Sequence, residues 1–144
     1  MAKTVRDKKF QKPDISQIGD EMGRKPPQAI DIEEAVLGAL LLEPEVAPDV
    51  LDQLTEDCFY KDSHKKIFTA IERLSRRNDP IDILTVSNEL SARDQLEEVG
   101  GSAYLSQLSL RIGAAAHVEY HTKILLQKFI QRELISVSYE AVNE

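Results

Sequence analysis

The chain has 144 residues, 42% of them hydrophobic and 30% charged, with a formal net charge of −7, which is enough material for one ordinary domain with a proper core. That composition excludes a disordered polymer, and no apolar run reaches the ~20 residues of a membrane span; the longest, residues 35–42, reads as a core helix segment. The charge is unevenly spread: residues 1–28 carry seven Lys/Arg against four Asp/Glu, and residues 29–144 carry eleven against twenty-one, so a net +3 leader precedes a −10 body poorly suited to grip a polyanion.

Along residues 1–28 apolar side chains are too sparse to order the segment, so it reads as a flexible, solubilising extension. No apolar stretch follows its lysines, which excludes a secretory signal. Cys58 is the only cysteine, so no internal disulfide forms and a cytoplasmic location is expected. Pro26-Pro27 blocks helix just upstream of the first periodic segment. Asp31 and Glu34 have capping-box spacing, and the helix behind them runs to about residue 43, apolar on most sides and therefore central, until Pro44 stops it. A short helix is expected around residues 46–54. A second long one carries Ile67, Phe68, Ile71 and Leu74 on one face, with Arg73, Arg76 and Arg77 near its C-terminal end, where cations suit the dipole. Asn78-Asp79-Pro80 closes that helix, and Asp82 is a natural N-cap for the next, built on Ile83, Val86 and Leu90.

Gly100-Gly101 follows an acidic turn and precedes Ser102, a good cap for another helix. Adjacent glycines without a preceding strand or a following lysine do not make a phosphate-binding loop, so the pair is a joint between helices, with a stop in left-handed conformation. Residues 117–144 then form one uninterrupted helical pattern, about 42 Å long at ~1.5 Å per residue. Its apolar side chains point three ways: Val118, Leu125 and Phe129; Leu126, Ile130 and Val137; Tyr120, Ile124 and Ile135. The expected architecture is all-α: an extension at 1–28, a compact orthogonal helical head at 29–112, and a long helix at 113–144 that begins a helical hairpin cut by the fragment end. The excess apolar surface of that helix predicts self-association through Ile124, Leu125, Phe129, Ile130, Leu134 and Val137.

Candidate chemistry is thin. His117 and His121 stand one turn apart, but the glutamate between them is not where a zinc-binding helix places it, and nothing in the spacing brings in a third ligand such as His64. The acids at residues 31, 33, 34, 97 and 98 read as helix-end and turn residues, and Cys58 as a small core residue beside two aromatics. No catalytic constellation and no cofactor or metal site is expected in this chain.

The segments PPQAIDIEEAVLGALLL (26–42), FYKDSHKKIFTAI (59–71), DPIDILTV (79–86), LEEVGGSAYL (96–105) and AAHVEYHTKIL (115–125) together resemble the N-terminal domain of bacterial replicative DNA helicases of the DnaB type. The resemblance implies a hexameric ring helicase whose ATP- and Mg-dependent motor domain lies outside this chain. In it the N-terminal domains form a collar, a trimer of dimers, that receives the helicase-binding domain of primase. The family's primase contacts fall here on Asp31, Tyr104 and Ile135. A helicase loader is a further partner that the family leaves open, and little direct DNA binding and no membrane are implied. At RIGAAAH (111–117) the sequence departs from the family pattern, which usually has a proline before the alanines and asparagine in place of His117; this puts the hinge geometry in question. Two other readings stay open at this level: the helicase-binding domain of primase itself, which has a similar head-plus-hairpin build, and a helical DNA-binding domain, which the acidic body disfavours.

Overall fold

A computed structural model describes residues 25–111 and 115–142, so the extension read at 1–28 lies, up to residue 24, outside the described residues. Two compact units emerge: Gln28–Phe129, and Met1–Pro27 together with Ile130–Glu144. Among the described residues every regular element is helical, and no helix is long and apolar enough to cross a membrane. The all-α expectation holds.

In the unit Gln28–Phe129 the central helix is α1, Ile30–Leu42, in which Ala35 to Leu41 are all buried, as its apolar circumference demands. Its start corrects the capping-box reading. The N-cap is Ala29, whose carbonyl accepts from the amides of Ile32 and Glu33 at 3.0 Å each, and no side chain caps. Asp31 sits in the first turn with its side chain exposed, where an acid still suits the helix dipole. A 3₁₀ turn at Pro44–Val46 leads into α2, Ala47–Gln53, with Val50 buried. A second 3₁₀ turn, Glu56–Cys58, buries Cys58, whose Sγ accepts from the Thr55 amide at 3.5 Å.

Helix α3, Asp62–Arg76, buries His64, Ile67, Phe68, Ala70, Ile71 and Leu74. It ends through Asn78 at φ 59°, with the Asp79 amide bonded to the Leu74 carbonyl at 2.9 Å, a Schellman closure by asparagine. Helix α4, Ile83–Ser91, is capped as expected: Asp82 Oδ1 accepts from the Thr85 amide at 2.8 Å and Thr85 Oγ1 from the Asp82 amide at 2.9 Å. Arg77 ties the two helices, donating to Asp79 at 2.9 Å and to Glu89 on α4 at 2.7 Å.

Residues 95–100 make a single helical turn that Gly100 stops at φ 111°, with the Gly101 amide on the Leu96 carbonyl at 2.9 Å. Helix α5, Gly101–Ser109, restarts at once. The glycine pair is thus the joint expected, but its N-cap is Gly100. Ser102 lies inside the helix, its hydroxyl 3.1 Å from that of Ser87 on α4. The four helices close on themselves: α1 packs on α3 and α5, α4 on both α3 and α5. Phe59 and Phe68, ring centroids 4.8 Å apart, fill the middle of this ring with Leu37, Leu40 and Leu105.

After a 3₁₀ turn at Ala115–His117 the chain enters α6, Val118–Val142. Its first turns belong to the head: Leu125 is 1% exposed in the main core, and Val118, Leu126 and Phe129 pack against that core. The unit boundary falls inside this helix, after Phe129. In the other unit Arg132 is buried and its Nη1 donates to the Pro27 carbonyl at 2.9 Å, while Ile130, Leu134 and Val137 lie exposed along one side of the helix.

Candidate partner interface

Glu33 and His64 are polar residues in apolar places. Glu33 falls one turn before Val36 and Leu37 on α1, and His64 one turn before Ile67 and Phe68 on α3. Both are buried, and they meet with His64 Nδ1 2.7 Å from Glu33 Oε1. The carboxylate is otherwise satisfied by the start of α3: the Tyr60 amide donates to Oε2 at 2.6 Å and the Lys61 amide to Oε1 at 3.3 Å. A carboxylate oxygen cannot donate, so Nδ1 carries the proton and Nε2 faces the hydroxyl of Tyr104 at 2.6 Å.

Tyr104, on α5, is half-buried. Its hydroxyl also lies 3.3 Å from Glu34 Oε2, and Glu34 is ion-paired with Arg111. Burial first, then the charge of Glu34, pushes the phenol up to about 12, so it stays a neutral donor. One face of the ring receives Lys61 Nζ at 5.4 Å from its centroid, and the Tyr104 and His64 rings lie nearly parallel, 9° apart. At the other end, a Cβ on Gly100 would come within 2.7 Å of Tyr104 Cβ. The positive φ and this close approach together explain why glycine precedes the helix.

Beside this cluster, His117 and His121 have ring centroids 6.2 Å apart. His121 is held below the usual imidazole value by burial first, then by His117 and Arg111, with Asp31 pulling the other way. Of the three residues singled out for partner contact, Tyr104 meets Glu34 directly, and Asp31 lies on the same helix as Glu34, one turn earlier, where its charge acts on His121. Ile135 belongs to the other compact unit and is half-buried there. Among the described residues no three His, Cys, Asp or Glu side chains converge to hold a metal.

Of the residues read as self-association contacts, Ile130, Leu134 and Val137 are exposed, and Ile124 is half-buried. Leu125 is corrected: it is a core residue of the head and offers no surface. Phe129 is half-buried against the same core. Sequence reasoning missed Glu33, Lys61, His64 and Arg111 as a group around Tyr104. The signal was present for two of them, an acid and a histidine on the apolar stripes of separate helices.

Residues 25–127 match the family described as the DnaB-like helicase N terminal domain. The replicative DNA helicase DnaB of Rhodothermus marinus is 46% identical over 118 residues, covering 82% of this chain and 12% of that protein. The DnaB of Geobacillus stearothermophilus is 45% identical over 112 residues, covering 78% of this chain and 25% of its own length. This chain thus spans a quarter or less of these relatives. Its fold is similar to the N-terminal domain of DnaB helicase from Mycobacterium tuberculosis, with a TM-score of 0.79, 34% identity and 83% of each chain covered. A DnaB-like replicative helicase whose structure was described with its interactions with primase matches at a TM-score of 0.70 and 25% identity, over 78% of this chain and 26% of that one. A head in which α1, α3, α4 and α5 close around one core, the glycine joint before α5 and these likenesses agree: the chain belongs to the DnaB-like helicase N-terminal domain family.

Proposed function

We propose that this chain is the collar portion of a replicative helicase, which associates with copies of itself and docks primase, while unwinding and ATP hydrolysis belong to a motor domain that binds ATP and Mg. The chain itself is not an enzyme in this reading. The observation that carries the docking role is the face around Tyr104, where a half-buried aromatic is framed by Glu34, Arg111 and Lys61, with the first-turn acid Asp31 one turn before Glu34 on α1. Interface hot spots favour such anchored aromatic and arginine residues with a charged rim. The similarity to a helicase described with primase supports the choice of partner. A loader protein is a further candidate partner for the same collar. The −10 charge of residues 29–144 supports little direct affinity for DNA.

The test is calorimetric titration with the helicase-binding domain of primase. Tyr104→Ala and Asp31→Arg are expected to weaken binding with the helical circular dichroism unchanged. Wild-type binding by both variants would overturn the docking assignment.

A further inference from the structure

We propose that Glu33 and His64 are positioning residues for the docking face: they form a buried relay that pins the hydroxyl of Tyr104, so that its ring is presented to the partner in one fixed orientation. The inference rests on the docking role proposed above for Tyr104.

The relay has a direction at each step. Two backbone amides at the start of α3, from Tyr60 and Lys61, fix the Glu33 carboxylate. The carboxylate fixes the tautomer of His64 by accepting from Nδ1–H at 2.7 Å. Nε2 is left with its lone pair toward α5 and accepts a hydrogen bond from the Tyr104 hydroxyl at 2.6 Å. The acid orients the imidazole and the imidazole orients the hydroxyl, across three helices 31 and 40 residues apart in sequence. Nothing reacts, because both inner members are sealed from solvent. What the relay supplies is geometry.

Three observations favour positioning over simple stabilisation. A buried hydrogen-bonded pair contributes little net stability against an apolar pair of the same shape, whereas a satisfied polar network fixes one arrangement among several. The Tyr104 hydroxyl is held by His64, and the glycine at position 100 leaves room beside its Cβ that any larger residue would fill, while the ring is only half-buried. The alternative acceptor for its hydroxyl, Glu34 Oε2, is farther at 3.3 Å and already engaged by Arg111. Without the Nε2 lone pair the hydroxyl turns to Glu34, and the frame of the docking face shifts with it. A contact aromatic that needs no ordering on binding loses less entropy when the partner arrives.

The experiment is a double-mutant cycle read by titration with the primase helicase-binding domain, together with NMR of the Tyr104 ring and the His64 nitrogens. Tyr104→Phe, His64→Gln and Glu33→Gln are each expected to weaken binding about three- to tenfold, the worth of one hydrogen bond's orientation. The Tyr104→Phe/His64→Gln double variant should bind no more weakly than Tyr104→Phe alone. The His64 spectrum of the wild type should show the Nδ1–H tautomer, and the Tyr104 ring should flip faster in His64→Gln. Tyr104→Phe keeps the ring and the packing, so it serves even where His64→Gln fails to fold. If Tyr104→Ala loses binding while Tyr104→Phe and His64→Gln bind as wild type, the relay is refuted and the docking role stands. Additive losses in the double variant also refute it, since His64 would then act by another route. Unchanged binding by Tyr104→Ala overturns the docking role and the relay with it.

Discussion

The exposed ridge on α6 sets a measurable limit on self-association. Ile130, Leu134 and Val137 are 49%, 61% and 53% exposed and lie on one side of the helix. Full burial of such a side chain contributes about 1.5–3 kcal/mol, so covering what each exposes gives roughly 2.5–5 kcal/mol per copy and about 5–10 for a symmetric pair. That is comparable to the ~4–15 kcal/mol lost in freedom on association, so pairing through this ridge alone should be weak and strongly concentration dependent. Leu134→Asp deletes roughly 1–2 kcal/mol per copy, ~2–4 for the pair, and adds a charge to the contact; the dissociation constant should rise by about 30-fold to 1000-fold. Sedimentation equilibrium of wild type and variant over a wide concentration range measures this. Circular dichroism should not change, because Leu134 is exposed. A Leu134→Asp chain that assembles like the wild type, or a wild type that stays strictly monomeric at its solubility limit, would refute the reasoning.

Other outcomes separate core from surface. Leu125→Asp should unfold the head rather than merely dissociate an assembly, seen as loss of the cooperative thermal transition, since Leu125 is a core residue. Gly100→Ala should cost about 1–3 kcal/mol in urea unfolding, because φ is 111° and the new Cβ would strike Tyr104 Cβ; Gly101→Ala, with φ 71° and open space around it, should cost less. His121 is depressed in the fold, so the unfolded chain takes up its proton first. Its contribution is intact above the unfolded value near ~6.5 and is lost as pH falls below it, and a His121→Gln variant should show a flatter dependence of urea midpoint on pH across that window.

Local chemistry was legible in the sequence wherever a feature depends on its near neighbours. Asp82 caps α4 through Thr85, three residues away, and the glycine pair turns the chain by its own backbone freedom. The start of α1 was not legible, because Ala29 caps nothing with its side chain and the acids after it answer to distant partners: Glu33 to His64, Glu34 to Tyr104 and Arg111. Helical periodicity correctly placed the apolar residues of α6 in three directions but could not say which direction the head covers. That choice is tertiary: Val118, Leu125 and Phe129 meet the core, and Leu126 joins them from the second direction. The docking face was half legible: Tyr104 was named from the resemblance, while the residues that hold it come from α1, α3 and the segment after α5, which no single window of sequence contains.

The closure of the head has a consequence for how it is made. Helix α1 is deeply enclosed and is synthesised before the helices that cover it: its partner α5 begins only at Gly101, and the ion pair between Glu34 and Arg111 joins residues 77 apart. On the ribosome α1 must wait, apolar on nearly every side, until some 70 more residues have emerged, which at ~5–20 residues per second is several seconds. Any piece of this protein that stops short of Ser109 leaves the α5-facing side of α1 bare, so halted translation or a premature stop within this interval should yield a chain prone to aggregate rather than a smaller working head.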